Sequence, residues 1–242
     1  MENEEMEMIG RHSLAHVMAK AIMKLYPKTK LTIGPAIEDG FYYDLDTAES
    51  FTEDVLPKIE KEMKNIISHN EKFVRREVSK AEALEMFKDN EYKTELINEL
   101  PENEVISVYY LGDDFVDLCR GPHVESTGKL QNFGYKLAKI NGAYWRGNEK
   151  NKMLQRIYAY AFKDKKQLAD YLNMLEEAKK RDHRKLGKEQ ELFFFDETAP
   201  GMAYWLPKGF TILNTLINFW REEHQKRGYQ EFSGPQLNSS IL

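Results

Sequence analysis

The chain has 242 residues, 41% hydrophobic and 31% charged, a balance that excludes a disordered or fibrous protein and allows one large or two ordinary globular domains. No apolar run approaches the ~18 residues of a membrane helix, the acidic start MENEEMEM lacks the order of a secretory signal, and the cytoplasm is the expected compartment. The net charge of −5 gives no global argument for nucleic acid, and the single cysteine, Cys119, excludes both a disulfide framework and a four-thiolate zinc site.

Leu14, Val17, Met18, Ile22 and Leu25 recur at helical spacing over 11–26, and Pro27 ends that helix. Residues 30–46 (KLTIGPAIEDGFYYDLD) predict two short strands, punctuated at Gly34-Pro35 and Asp39-Gly40. A second amphipathic helix spans 52–70, with Thr52 as its cap and Val55, Leu56, Ile59, Met63, Ile66 and Ile67 facing inward. A strand over 72–78 follows, then a helix over 79–87 with a Ser79/Glu82 capping box, then a helix over 91–100 stopped by Pro101. Strands over 105–110 and 115–118 flank a turn at 112–114. A weaker strand at 137–144, a polar loop at 146–152 and an aromatic, β-branched strand at 153–162 come next. Residues 165–184 form a long, charged connecting helix, and 210–227 an amphipathic one ended by Gly228. The expected organisation is α+β: a two-layer domain over 1–178, a helical linker over 179–192, and the opening of a second domain over 193–242.

His12 and His16, spaced i, i+4, share one helical face. A second pair at the same interval, Cys119 and His123 in DLCRGPH, contains Gly121 and Pro122, so a tight turn must present it. Three imidazoles and a thiolate are an adequate tetrahedral zinc set. The same four groups can instead hold and deprotonate a water, since histidine titrates near pH 6.5. Spacing does not separate these two uses. Asp117, two residues before Cys119, is placed to orient a histidine or a water, while Lys93 in EYKTEL reads by default as a solvated helix residue.

Several stretches in order along nearly the whole chain resemble threonyl-tRNA synthetase of the bacterial type: RHSLAHVMAKAI, IGPAIEDGFYYD, VDLCRGPHV, GAYWRGNEKNKMLQRIYAYAF, KRDHRKLGKEQELFFF and APGMAYWLPKG. The resemblance implies a tRNA-editing domain, shared with alanyl-tRNA synthetases, followed by the start of a class II antiparallel-sheet aminoacylation domain. The helix after Pro207 and GYQEFSGPQL resemble class II motif 1, which in the family serves a homodimer interface. The ubiquitin-like domain usual before the editing domain is not found, nor are motifs 2 and 3 and the aminoacylation zinc ligands. ATP, magnesium and that zinc therefore belong to the full-length family, and these residues are expected to hydrolyse rather than ligate.

The resemblance further implies the substrate, a seryl ester on the acceptor end of tRNA(Thr), and distributes roles within the site. His12, His16 and His123 organise the terminal ribose and a water, Lys93, Asp117 and Cys119 supply proton relay and electrostatics, and Tyr43 lines the pocket around the seryl adenosine moiety. Because Tyr42 and Tyr43 alternate on a strand, only one can do so. In alanyl-tRNA synthetases the quartet binds zinc; in the threonyl family the resemblance implies that no metal is required. Trp145, Arg146, Lys150, Lys152 and Arg156 are candidates for contact with the tRNA end. Two other readings stand beside this one: a free-standing deacylase acting in trans, and a zinc-stabilised RNA-binding module without catalysis.

Overall fold

The computed structural model describes residues 2–101 and 104–234. Its first helix, α1 (Glu2–Leu25), begins nine residues before the apolar periodicity starts, because the Glu- and Met-rich opening has high helix propensity without being apolar. From Leu14 to Ile22 the helix is enclosed on every side, and Leu14, Val17, Met18 and Ile22 are inaccessible to solvent. Leu25, in register with that stripe, is 40% exposed, because the covering layers end before it.

One covering layer is a five-stranded antiparallel sheet. Residues 30–46 form three strands rather than two: β1 (Lys30–Leu31) and β2 (Ala36–Ile37) each pair with one edge of β3 (Gly40–Asp46). Pro35, which has no N–H to give a ladder, lies in the gap between β1 and β2. The other edge of β3 pairs with the strand 153–162, which pairs in turn with the strand 134–144. Tyr43 points inward to α1 and Tyr42 outward, where the Arg156 guanidinium lies 3.9 Å from its ring centre.

The helix α2 (Leu56–Ser68) also packs on α1 through Ile59, Met63 and Ile66. Thr52 does not cap it: a single 3₁₀ turn, Glu53–Val55, intervenes, and the Thr52 hydroxyl bonds Asp54 instead. A second, three-stranded antiparallel sheet follows the order β4 (Phe73–Val78), β5 (Ile106–Leu111), β6 (Val116–Leu118). Between β4 and β5 run α3 (Lys80–Met86), started by the expected Ser79/Glu82 capping box, and α4 (Glu91–Glu99), capped by Asn90. Their apolar faces meet β5 in a smaller core of Ala83, Phe87, Ile97, Ile106 and Val108.

The strands closing the large sheet are β7 (Gly134–Tyr144) and β8 (Met153–Phe162). The expected helix over 165–184 is two: α5 (Lys165–Lys180) and α6 (His183–Glu189), separated where the Asp182 side chain caps α6. The chain divides into compact units before and after Leu172/Asn173. The second unit holds α6, the hairpin β9 (Phe193–Phe195) and β10 (Ala203–Trp205), and α7 (Pro207–Lys226), which starts on a proline suited to a first helical turn. Of the motif-1-like stretch GYQEFSGPQL, residues 235–237 lie outside the described residues.

Candidate active site

His16 projects from the enclosed part of α1 and the half-buried His12 from the turn before it, their ring centres 5.2 Å apart and edge to face. Cys119 and His123 come from the loop after β6. Gly121 turns that loop with φ +73°, and a Cβ there would stand 2.2 Å from the Tyr109 hydroxyl, so a side chain is excluded twice over. The turn brings Cys119 Sγ to 3.3 Å from His12 Nε2 and 3.3 Å from His123 Nε2, while the Gly121 N–H donates to the sulfur at 3.2 Å. The His123 ring lies 4.3 Å from that of His12 and 4.2 Å from that of His16. Phe73 stacks on it at 4.9 Å and Tyr109 meets it edge-on at 4.5 Å.

A buried polar network adjoins the quartet. Lys93 Nζ is 2.6 Å from Asp117 Oδ1, and both side chains are 3% exposed. The Tyr43 hydroxyl donates to Asp117 Oδ2, and His16 Nε2 lies 3.8 Å from the same oxygen. Tyr43 is thus the inward tyrosine of its pair, seated over Gly34, where a Cβ would be 2.2 Å from the ring. Lys93 is not a solvated helix residue: Asn90 fixes the first turn of α4 by accepting from the Lys93 N–H, and the side chain runs inward. A cavity of about 320 Å³ beside Met23, Leu31 and Asn90 opens onto Lys93 and Asp117. Others of about 390 and 440 Å³ reach Cys119 and His123.

Burial sets the protonation states. It lowers the pKa of His12 and takes those of His16 and His123 well below the usual 6.5, with neighbouring His12 and Lys93 adding to the effect at His16, and His16 and His12 at His123. The three imidazoles are therefore neutral at pH 7 rather than partly protonated, which corrects the expectation of a group titrating near 6.5. Burial also pushes the Cys119 thiol up to about 11, so it carries its proton and is a poor nucleophile.

The four side chains offer one ligand atom each within 4.8 Å of one another, and His16 Nδ1 is buried without a hydrogen-bond partner. Ligand atoms on a tetrahedral zinc stand about 3.3–3.8 Å apart. The donor set thus suits a metal after a contraction of about 1 Å.

The residues considered for RNA contact are held differently. Trp145 is buried against Tyr92 and Leu154, with its indole N–H donating to Glu95, so it offers no free stacking face. Arg146 pairs with Glu95 and Glu99, Lys152 with Asp46, and Arg156 with Asp44 in a two-pronged contact of 2.6 and 2.8 Å. Lys150 alone of the four cations has no ion pair among the described residues. Sequence reading passed over Ser13, whose hydroxyl meets His123, and Lys20, which α1 buries against Glu71, Asp114 and the Leu111 carbonyl. Their signal was position: Ser13 falls between the two histidines and Lys20 one turn after His16 on the same face.

Residues 106–158, which carry β5 to most of β8, match the Threonyl and Alanyl tRNA synthetase second additional domain. The chain is 54% identical over its whole length to a threonine–tRNA ligase of Fusobacterium nucleatum, covering 39% of that protein. It is 56% identical over 96% of its length to the ligase of Clostridium botulinum and 55% identical over all of it to that of Clostridium acetobutylicum, covering 36% and 38% of them. The chain thus spans less than two-fifths of the relatives it matches. Over that span it belongs to the threonyl-tRNA synthetase family and carries the second additional domain.

Proposed function

We propose that the site hydrolyses the ester of serine mistakenly attached to tRNA(Thr). The observation that carries this reading is the convergence of three neutral imidazoles and a thiol beside the buried Tyr43–Asp117–Lys93 network, whose Lys93 and Asp117 line a cavity. Serine lacks one methyl of threonine, and a synthetic pocket distinguishes such a pair by only about 1–3 kcal/mol. A second site that destroys the seryl ester supplies the remaining discrimination.

In the reaction, a water oxygen attacks the ester carbonyl while a neutral imidazole accepts its proton. The developing oxyanion is met by an N–H of Lys93, two of whose three protons remain beyond the one given to Asp117. The tetrahedral intermediate collapses with cleavage of the bond to the ribose oxygen, which takes the proton back from the imidazole. His12, His16 and His123 hold ribose and water, Cys119 contributes as a thiol, and Tyr43 fixes Asp117. Every step is met by side chains of the chain itself, and no metal is assigned a part. Of Arg146, Lys150, Lys152 and Arg156, Lys150 is the one without an ion pair among the described residues and is assigned contact with an RNA phosphate. The acceptor end of tRNA(Thr) is the proposed partner and the cytoplasm the proposed compartment; among the described residues no helix is long and apolar enough to cross a membrane. ATP-dependent ligation and homodimer formation are proposed for the family-length protein.

The test is deacylation of seryl- and threonyl-tRNA(Thr) by the purified chain. Selective hydrolysis of the seryl ester is expected; equal rates on both, or none above the uncatalysed rate, would overturn the proposal. The ligand spacing supports a second reading, in which zinc on the quartet stabilises an RNA-binding module. Stoichiometric zinc and unfolding on chelation would favour it.

A further inference from the structure

Ser13 is fully buried on α1, and its hydroxyl has three polar neighbours. Oγ stands 2.8 Å from the Ile9 carbonyl oxygen, 3.0 Å from the Val124 nitrogen and 3.1 Å from His123 Nδ1. A serine hydroxyl has one proton to give and two lone pairs to accept with. The Val124 N–H can only donate and the Ile9 carbonyl can only accept. Oγ therefore takes the Val124 hydrogen and sends its own to Ile9. What remains is a lone pair, so the proton between Ser13 and His123 must sit on Nδ1. Turning the hydroxyl proton toward His123 instead would leave two oxygens facing each other at 2.8 Å with no hydrogen between them.

We infer that Ser13 is a positioning residue that fixes His123 as the Nδ1–H tautomer and makes its Nε2 the bare, proton-accepting nitrogen of the site. The stacked Phe73 and the edge-on Tyr109 pack on the ring and oppose a flip by half a turn, which would put Cδ2 in place of Nδ1 against Ser13 and Cε1 in place of Nε2 against Cys119. Nε2 then faces Cys119 Sγ at 3.3 Å, where a protonated thiol can donate to it. The consequence for catalysis rests on the proposed ester hydrolysis, whereas the tautomer does not. In that reaction the proton lost by the attacking water goes to His123 Nε2. The imidazolium so formed keeps its Nδ1–H on Ser13 Oγ, and Nε2 returns the proton to the leaving ribose oxygen. A base is thereby oriented by a third group that never touches the substrate.

Long-range proton–nitrogen correlation spectra of the chain labelled with ¹⁵N-histidine at pH 7 test this directly. His123 is expected to show a pyrrole-type Nδ1 and a pyridine-type Nε2. Ser13→Ala should lose that pattern, and Ser13→Thr, which keeps the hydroxyl, should restore it. The Ala variant should also lose about 10–100-fold in kcat on seryl-tRNA, part of the ~10²–10⁴ that positioned proton transfer supplies, while KM moves less than about twofold. A wild-type His123 protonated on Nε2, or an unchanged tautomer in Ser13→Ala, overturns the inference. If Ser13→Ala does not fold, the wild-type and Ser13→Thr spectra still decide it. A tautomer that follows the hydroxyl in a chain that hydrolyses no ester would uphold the assignment and sink the hydrolytic reading. Wild-type hydrolysis with no effect of Ser13→Ala on rate or spectrum would do the reverse.

Discussion

Lys93 on α4 and Asp117 on β6 form an ion pair of 2.6 Å in which neither side chain is more than 3% exposed. Such a pair gains little net stability against apolar replacements, because each charge gives up its hydration, yet removing one partner strands the other. Lys93→Met is expected to destabilise the fold by about 3–5 kcal/mol, read as a shift in the urea midpoint. Lys93→Met with Asp117→Leu should recover part of that loss and still fail to hydrolyse seryl-tRNA. A single variant as stable as the wild type would show that the pair is not buried in solution.

His12→Ala and Cys119→Ala should each lower hydrolysis by about 10²–10⁴-fold. The melting temperature should fall by only a few degrees, since each deletion costs on the order of 1–2 kcal/mol. Exhaustive chelation of the wild type should change neither activity nor melting temperature. A collapse of the melting temperature on chelation, matched by the same collapse in both variants, would instead assign the quartet a structural metal.

The quartet was legible from sequence because two pairs shared one interval and a Gly-Pro turn announced that the second was not helical. Strand alternation told Tyr43 from Tyr42 but not which of them faced inward, since that depends on which side of the sheet α1 covers. Lys93 could not be read from local pattern: a lysine amid EYKTEL looks solvated, and only the packing of α4 beside β6 buries it. Thr52 misled for a related reason, since a side chain fit to cap a helix does so only if the helix starts beside it. The division of 30–46 into three strands likewise depended on β3 accepting two short partners on one edge.

Arg156 and Lys150 belong to the same basic stretch and should behave oppositely. Asp44 is 3% exposed and is held by both prongs of Arg156, so Arg156→Ala should destabilise by about 3–5 kcal/mol, the toll of a stranded charge. Lys150→Ala should leave stability unchanged within about 0.5 kcal/mol. If Lys150 meets a phosphate, that variant should weaken tRNA binding and reduce the logarithmic salt slope by about 1. Urea titration and binding at several salt concentrations separate the two. A Lys150→Ala slope equal to that of the wild type would remove this residue from the RNA interface.

The pH dependence of stability follows from the same burial that shapes the site. Folding lowers the pKa of His12, His16 and His123 below 6.5, so beneath that pH the unfolded chain takes up protons that the folded chain refuses. Their contribution to stability is complete above pH 6.5 and is lost as the pH falls below it, at up to about 1.4 kcal/mol per pH unit for each histidine. Cys119 has the opposite sign: its folded pKa of about 11 exceeds the ordinary 9.0, so stability falls again as pH rises from 9 toward 11. The plateau should therefore lie between about pH 7 and 9. Urea midpoints from pH 5 to 10.5 should trace both limbs. Replacing His16 by Asn should make the acid limb shallower by one histidine's share, and Cys119→Ala should remove the onset of the alkaline limb near pH 9, leaving the fall nearer pH 10 to tyrosines such as Tyr43 and Tyr92 whose pKa values burial raises. An acid limb of the same slope after the loss of His16 would mean that its imidazole titrates normally in the fold, and the neutral triad on which the hydrolytic chemistry depends would have to be abandoned.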